Sequence, residues 1–421
     1  MNKLTKLAAM LVVSSPLLIK AQGYQVNFQG QVQQGMGSAG AALMQDGAAL
    51  FFNPGGMSHL KGNHIDLGIT PTFANGQFVD SNTGAMARTE SPVSTPFAAY
   101  GVFGSKDSTK FLSKFKFGLG IYTPFGSTVD WEKGWGGRYA LTHLQLKAIY
   151  FQPTVSYKIT DKLGFGAGFV YVNGAVNLQK DIPVFASTDV TLSNPSSVEL
   201  NGKASGFGAN VGIYYKPIEK LSIGLTYRSK VNMKVSEGDV TFTMPAGVNP
   251  VIAANFPNQK FTSELPLPQV ITLGLAFKAT DKLDLALDIN NVGWKAYDTL
   301  AFDYDNNTAG LKDTKSPREY KSIFAFRLGG QYKITDAFTV RLGGGYALTP
   351  VQDGFVTPET PDANRVYGTL GLGYTIKQKF SINASVYYTS LKREGTNFET
   401  NLTGTYQTKV IAPGLALSYK F

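Results

Sequence analysis

The sequence predicts an all-β protein: a 14-stranded antiparallel transmembrane β-barrel with a small N-terminal helical hatch, or plug. Three observations point there: long period-two strands, connections that alternate between tight and long, and one compact small-residue stretch that fits neither pattern. In 338–349, Phe338, Val340, Leu342, Tyr346 and Leu348 share one face, opposite Thr339, Arg341 and Thr349. Phe380, Ile382, Ala384, Val386 and Tyr388 alternate with Ser381, Asn383, Ser385 and Thr389, and Leu283, Leu285, Leu287 and Ile289 with Asp284, Ala286, Asp288 and Asn290. Alternation over about ten residues ending in aromatics marks a membrane-spanning strand, whereas strands of soluble sandwiches run nearer five or six. Gly343, Gly345, Gly371 and Gly373 fall on polar faces and leave room for an interior.

The connections set the topology. Tight turns fall at 159–162, 217–220, 279–282, 334–337 and 376–379, with long polar connections near 175–202, 238–264, 296–320, 349–364 and 391–404. Short connections on one side and long on the other are the periplasmic-turn, extracellular-loop asymmetry of outer-membrane barrels. Fourteen strand cores fit between residues 64 and 421, with both barrel ends on the short-turn side. The last strand places Ile411, Pro413, Leu415, Leu417, Tyr419 and Phe421 on one face, and its closing aromatic is a signal for barrel assembly machinery.

Composition narrows the class. The net charge is +10, yet only 16% of residues are charged and the basic ones are scattered singly, so a nucleic-acid partner is not expected. Residues 1–21 read as a signal peptide: Lys3 and Lys6, an apolar run from Leu7 to Ile19, and Ala21 before the cut. Without cysteine the chain has no disulfide, thiolate nucleophile or Cys-ligated metal site. No run of about 18 apolar residues follows the signal, which excludes ordinary membrane helices. His59, His64 and His143 belong to no Ser-His-acid or metal-spacing pattern, so no enzyme, cofactor or metal is expected. Asp303-x-Asp305-x-Asn307 lacks the glycine position of a calcium loop.

The segment from Gly35 to Ser58 breaks the alternation. Ser38 is placed to cap a short helix through Gln45, and Asp46 a second across Gly47 to Phe52, which Pro54 ends by forcing Asn53 out of helical geometry. Two such helices are too small to fold alone, so residues 22–62 are expected to pack inside the barrel formed by 63–421.

At these residues the chain resembles the long-chain fatty acid transporter family of outer-membrane proteins, which includes aromatic-hydrocarbon transporters. The resemblance runs through Gly23-Tyr24-Gln25, Gly35-x-Gly37-x-Ala39, Asp46, Asn53-Pro54, Gly202-x-x-x-Gly206-Phe207-Gly208-x-Asn210-x-Gly212, Tyr227-Arg228-Ser229-Lys230-Val231 and Trp294. It covers essentially the whole mature chain. The position after Asn53-Pro54 is usually Ala in the family and is Gly55 here, so helix packing at that corner is open.

The resemblance implies a monomer in the Gram-negative outer membrane, surrounded by lipid and lipopolysaccharide. It also implies a hatch-gated passage for fatty acids, aromatic hydrocarbons or detergents, with sideways exit at a kink in the third strand. Pro124 and Gly126, late in that strand, and Pro153 in the next weaken the ladder there. Hatch residues are then Gly35, Gly37, Asp46, Asn53, Pro54 and Gly55; Tyr24 and an inward Arg228 are candidate ligand contacts; Val251, Ile252 and Phe256 form an apolar collecting loop. Burying about fifteen methylenes at ~0.8 kcal/mol each gives roughly 12 kcal/mol, enough to trap an acyl chain in a single perfect pocket. A weak outer site and a spoilable inner one serve transport better. A general diffusion porin and a surface adhesin or receptor are the competing readings.

Overall fold

The computed structural model describes residues 23–105 and 111–421, so the expected signal peptide lies outside the described residues. Fourteen strands close one antiparallel barrel, several in two pieces. They are β1 (His64–Ile69 and Phe73–Asp80), β2 (Met86–Arg88 and Phe97–Gly104), β3 (Phe115–Asp130), β4 (His143–Lys158), β5 (Leu163–Ile182), β6 (Ser196–Ile218) and β7 (Leu221–Arg228 and Val231–Thr243). The circle continues with β8 (Gln259–Leu267 and Val270–Lys278), β9 (Leu283–Val292 and Thr299–Tyr304), β10 (Thr314–Pro317 and Ile323–Lys333), β11 (Phe338–Ala347), β12 (Arg365–Ile376), β13 (Phe380–Thr396) and β14 (Thr403–Lys420).

Closure pairs Ile69 with Leu415 and Phe73 with Ile411. Asn63 N–H donates to the Phe421 carbonyl (2.9 Å) and Phe421 N–H to that of Asn63 (3.1 Å), so both ends of the barrel sit together at the short-turn side. The alternation read from sequence faces as expected: Leu328, Leu342, Leu370, Tyr388 and Leu415 are exposed, while Asp288, Asn290, Asn383 and Ser385 are buried inside. Lipid contact accounts for the first set, since apolar side chains on the outer face need no water.

Four of the five expected long connections are shorter than the sequence suggests: strands run on to Thr243 and Gln259, and Thr299–Tyr304 and Thr314–Pro317 form strands within 296–320. The β5–β6 hairpin runs on to Ile182 and Ser196, and β13–β14 to Thr396 and Thr403. Their distal pairs are polar, as in Asn177 opposite Asn201 and Gln179 opposite Glu199. Backbone pairing continues past the apolar band because it needs no apolar face.

The N-terminal segment lies inside the barrel, but its helices are not where the sequence placed them. They are three single turns: α1 (Gln31–Gln34), α2 (Ala49–Phe52) and α3 (Pro54–Met57). Ser38 takes a positive φ of 61° and caps nothing. Residues 39–45 form no helix, and the N–H groups of Gly40 and Ala41 donate to Asp288 of the barrel wall instead of along a helix axis. Asp46 Oδ1 accepts from Ala48 N–H (3.1 Å), one residue ahead of the α2 start. Pro54 opens α3 rather than merely ending α2, with the Asn53 side chain accepting from Gly55 N–H.

Candidate ligand path

The lower lumen is filled by backbone pressed on backbone. A Cβ on Gly343 would lie 2.1 Å from Gly37 N, and one on Gly329 would lie 2.2 Å from the Met36 carbonyl oxygen. Gly35 and Gly371 meet Cα to Cβ position at 2.9 Å. Gly37 carries φ +67°, a conformation open to glycine, and its N–H donates to Thr369 Oγ1 (2.9 Å). Of the four glycines read as making room for an interior, Gly343 and Gly371 therefore make room for the chain itself, while Gly345 faces the Tyr367 hydroxyl and Gly373 the Arg341 and Asn383 side chains of the wall.

Gly55 follows the same logic. A Cβ there would come within 2.4 Å of the Gly212 carbonyl oxygen and 3.0 Å of that of Gly164, so glycine permits a closer seat on β5 and β6 than alanine would. Asn53 is fully buried and spends its side chain on three bonds: it accepts from Gly55 N–H (3.0 Å) and donates to the carbonyls of Ala41 (2.8 Å) and Ile213 (3.0 Å). Wall residues that pattern reading left without a role complete the seat. Asp288 Oδ2 accepts from Gly40 N–H (2.8 Å) and Ala41 N–H (3.1 Å), Asp66 from Gly47 N–H (2.8 Å), and Gln152 donates to the Leu50 carbonyl (3.1 Å). Burial raises the Asp46 carboxyl above its ordinary value, offset in part by the Gln33 amide that donates to it.

Above this seat the wall of the barrel changes. β3 pairs with β2 only up to Tyr122, opposite Ala98. Residues 91–96 between the two pieces of β2 leave the β3 ladder, and contact resumes where Glu90 N–H donates to the Asp130 carbonyl (2.8 Å) and Thr89 bridges Trp131. A bulge in β3 between Tyr122 and Phe125 shifts its register on β4. The bonding side that β2 gives up is taken by the N-terminal segment: Val26 N–H donates to the Pro124 carbonyl (2.9 Å), and Gly126 N–H to that of Tyr24 (3.1 Å). Pro124 and Gly126 thus sit mid-strand at the bulge, not late in the strand. Pro153 does not join them. It is opposite Leu119 in the intact part of the β3–β4 ladder, and it breaks pairing on the β5 side, between Phe151 and Thr154.

Three cavities lie along this route. An apolar pocket of about 50 Å³ is walled by Leu144, Leu146, Val176, Leu178, Met233, Val235, Leu265, Leu300 and Phe302, with Tyr24 and Tyr297 at one end and Glu359 beside them. Burial pushes the Tyr24 phenol well above its usual range, so it stays neutral there. A smaller space of about 20 Å³ holds Gln25, Phe51, Phe125 and Arg228. The Arg228 guanidinium lies 3.9 Å over the Phe51 ring and forms no ion pair among the described residues. The third cavity, of about 160 Å³, occupies the gap in the wall itself. Ala74 and Gly76 of β1, Thr89 and Ser91, and Ser127 to Val129 of β3 line it, with Gly23 and residues 358–362 on the lumenal side.

Of the expected collecting loop, Val251 and Ile252 stand exposed on α4 (Pro250–Ala253), a single turn begun by Asn249. Phe256 instead folds back on Phe242, with ring centroids 5.4 Å apart. Toward the short-turn end a mouth of about 370 Å³ is lined by polar and charged groups such as Gln331, Lys333, Arg341, Lys379, Ser381 and Lys420.

Comparison with known proteins supplies the family. Residues 11–421 match the family described as Outer membrane protein transport protein (OMPP1/FadL/TodX). The chain belongs to this family. Among curated relatives, a 47 kDa outer membrane protein of Pasteurella multocida is 25% identical over 100% of both chains. A long-chain fatty acid transport protein of Salmonella typhi is 22% identical over 65% of this chain and 66% of its own. The fold agrees with a crystal structure of a Pseudomonas aeruginosa FadL homologue (TM-score 0.79, 19% identity, 95% of this chain and 100% of the other). It agrees also with the toluene transporter TodX of P. putida (TM-score 0.72, 19% identity, 96% and 99%). At such identities the structural likeness speaks for the barrel alone. Family membership fixes the outer membrane as the location and transport, rather than catalysis, as the family's activity.

The feature pattern reading missed altogether is the connection from β11 to β12. It was expected as a solvent loop, yet Val351, Val356, Thr357, Glu359, Thr360 and Asp362 are buried. The run Pro358-Glu359-Thr360-Pro361-Asp362, stiff and bounded by prolines, was the available signal.

Proposed function

We propose that the protein carries hydrophobic compounds from the cell exterior into the outer membrane by diffusion, long-chain fatty acids being the first class the resemblance suggests. Val251 and Ile252 collect the ligand, with Phe256 packed behind them. The apolar pocket ending at Tyr24 holds it, and Arg228 is placed to receive a carboxylate in the space beneath. Residues 22–62 form the hatch, seated through Gly35, Gly37, Asp46, Asn53, Pro54 and Gly55. Release goes sideways past Pro124 and Gly126; Pro153 loosens the neighbouring β4–β5 ladder.

The observation that carries this reading is the 160 Å³ cavity where β2 has left β3. It supports a sideways route because the short-turn mouth is lined by lysine, arginine, glutamine and serine, which favour water over an apolar molecule. The lumen below the pocket is occupied by chain, which weighs against a general porin.

A Ser127→Trp variant tests the route by filling the wall cavity. Uptake of labelled oleate by cells expressing it should fall well below that of the unchanged protein, while equilibrium binding to purified protein persists. Uptake equal to that of the unchanged protein would remove the sideways exit.

A further inference from the structure

We infer that the inturned loop 350–364 is a gate between the apolar pocket and the wall cavity, and that the Arg318–Glu359 ion pair is its latch. The inference rests on the transport reading above and adds a second barrier to it.

Position comes first. Glu359 lines both the apolar pocket and the wall cavity, and Gly23 and Tyr24 stand beside it, one on each. The loop and the N-terminal residues together are the partition. A ligand leaving the pocket for the wall displaces one or the other.

The way the loop is held comes next. Its tip has little ladder bonding, only a short turn between Thr357 and Thr360. The base of the loop is held by Arg393, which pairs with Asp353 (2.8 Å) and donates to the carbonyls of Val351 and Asp362 (3.4 Å each), by Phe398 N–H on the Gly354 carbonyl (2.9 Å) and by Thr349 Oγ1–H on Asp362 Oδ2 (2.8 Å). Beyond that base, the tip is tied by single bonds to three further elements. Trp131 Nε1–H, just beyond the β3 gap, donates to the Pro358 carbonyl (3.3 Å). The Tyr320 hydroxyl pairs with Thr360 Oγ1 (2.9 Å), and Gly23 N–H donates to Asp362 Oδ2 (3.0 Å). Bonds of this kind contribute about 1 kcal/mol each and can be exchanged one at a time. The strong tie is Arg318 Nη2 to Glu359 Oε1 at 2.7 Å, with side chains 7% and 8% exposed.

A desolvated pair of this kind adds little net stability but is costly to break by removing one partner. A moving loop needs somewhere for the arginine charge to go. Glu399 supplies it: its Oε2 lies 3.8 Å from Arg318 Nη1, on a half-exposed side chain at the rim. Arg318 Nε–H is also buried without a partner, so the inturned state leaves bonding capacity unused. Arg318 can therefore pass from Glu359 to Glu399 as the loop swings out, without being stranded. Pressure of a ligand on Tyr24 strains the neighbouring Gly23–Asp362 bond and loosens the same tip.

The native chain has no cysteine, so engineered thiols report cleanly. In a Tyr320→Cys/Thr360→Cys protein, a short cleavable bifunctional thiol reagent ties the loop inward. The probe is the uncharged dye N-phenyl-1-naphthylamine, followed both as uptake by expressing cells and as equilibrium binding to purified full-length protein. Tying the loop should lower uptake by about tenfold or more, as blocking a gating step does, leave binding in place, and be undone by cleaving the reagent. Glu359→Gln should raise uptake severalfold, and the exchanged pair Arg318→Glu/Glu359→Arg should return it toward the original rate. Heat-dependent gel mobility confirms that each variant is a folded barrel. Equal uptake from tied and untied protein overturns the gate, as does joint loss of binding and uptake on tying. Absence of uptake by the untied protein overturns the transport reading and the gate with it.

Discussion

The two halves of the lumen are filled by opposite kinds of contact. Toward the short turns, backbone meets glycine backbone: a Cβ on Gly224 would lie 1.9 Å from the Ala41 carbonyl oxygen, and one on Gly166 would lie 2.3 Å from that of Pro54. Toward the long loops, side chains meet across small voids: Tyr24, Tyr297, Tyr320 and Trp294 form a ring-to-ring cluster beside the pocket, with centroids 5.0–6.3 Å apart. Backbone contacts at that distance have one arrangement, because nothing in them can rotate. Side-chain contacts can adopt several, because a side chain has staggered rotamers to exchange without moving the backbone. On the proposed transport reading, the contrast makes the α1–α3 seat a fixed stop and leaves opening to the N-terminal residues and the inturned loop.

The largest test removes the anchor of the fixed half. Asp288→Ala takes the acceptor from the buried N–H groups of Gly40 and Ala41. Each unsatisfied donor costs about 1–3 kcal/mol, so with two of them the seat should weaken by roughly 2–6 kcal/mol. Hydrogen exchange of amides in 36–57 should accelerate, and bilayer recordings should show larger conductance than the unchanged protein. Unaltered exchange would mean that glycine packing alone holds the seat and that the contrast lies in packing, not bonding.

The second test works on the movable half. Burial raises the Asp362 carboxyl from 3.8 to about 6, against the opposing pull of Arg365, Gly23 N–H, Thr349 and Arg393. A carboxyl with a raised value binds its proton more readily in the folded loop than in the released one. It therefore favours the inturned state fully below about pH 4 and loses that contribution as pH climbs through about 6. At 1.36 kcal/mol per unit the loss is about 3 kcal/mol. Proteolysis within 350–364 should be slower at pH 4.5 than at pH 7.5, and Asp362→Asn should flatten the difference. The opposite slope would show that ionised Asp362, not the protonated form, holds the loop.

These tests also mark what the sequence could and could not convey. Strand faces were legible because a period of two assigns every side chain to lipid or lumen. Asp288 and Asn210 were thus readable as lumenal, and the glycines at 343 and 371 as small. What lies opposite was not legible. Asp288 reads only as one residue of a polar face, when it holds the N–H groups of residues 40 and 41 across the lumen. Helix positions in 35–58 follow capping patterns, which assume that a segment bonds to itself. Here the wall takes those bonds, so three single turns replace two helices. The loop at 350–364 reads as polar because its polar groups are paired inside, as Glu359 is with Arg318.

The smallest test adds one methyl to each half. Gly55→Ala restores the family's usual residue and gains helix propensity of at most about 1 kcal/mol. The new Cβ would sit 2.4 Å from the Gly212 carbonyl oxygen, a backbone atom that no rotamer change can move. Overpacking of this kind costs about 1–3 kcal/mol, so the net change should be a loss of up to roughly 2 kcal/mol, read as faster exchange of amides in α3. Ser263→Thr adds its methyl beside the 50 Å³ pocket and keeps the hydroxyl that donates to the Ala301 carbonyl (2.7 Å). Its cost should be near zero. If Gly55→Ala is equally silent, β5 and β6 can draw back from α3 by the more than half an ångström that a Cβ 2.4 Å from the Gly212 carbonyl oxygen requires. The lower half would then be a close fit that yields, and the division between a fixed stop and a moving gate would shift to the bonds of Asn53 and Asp288.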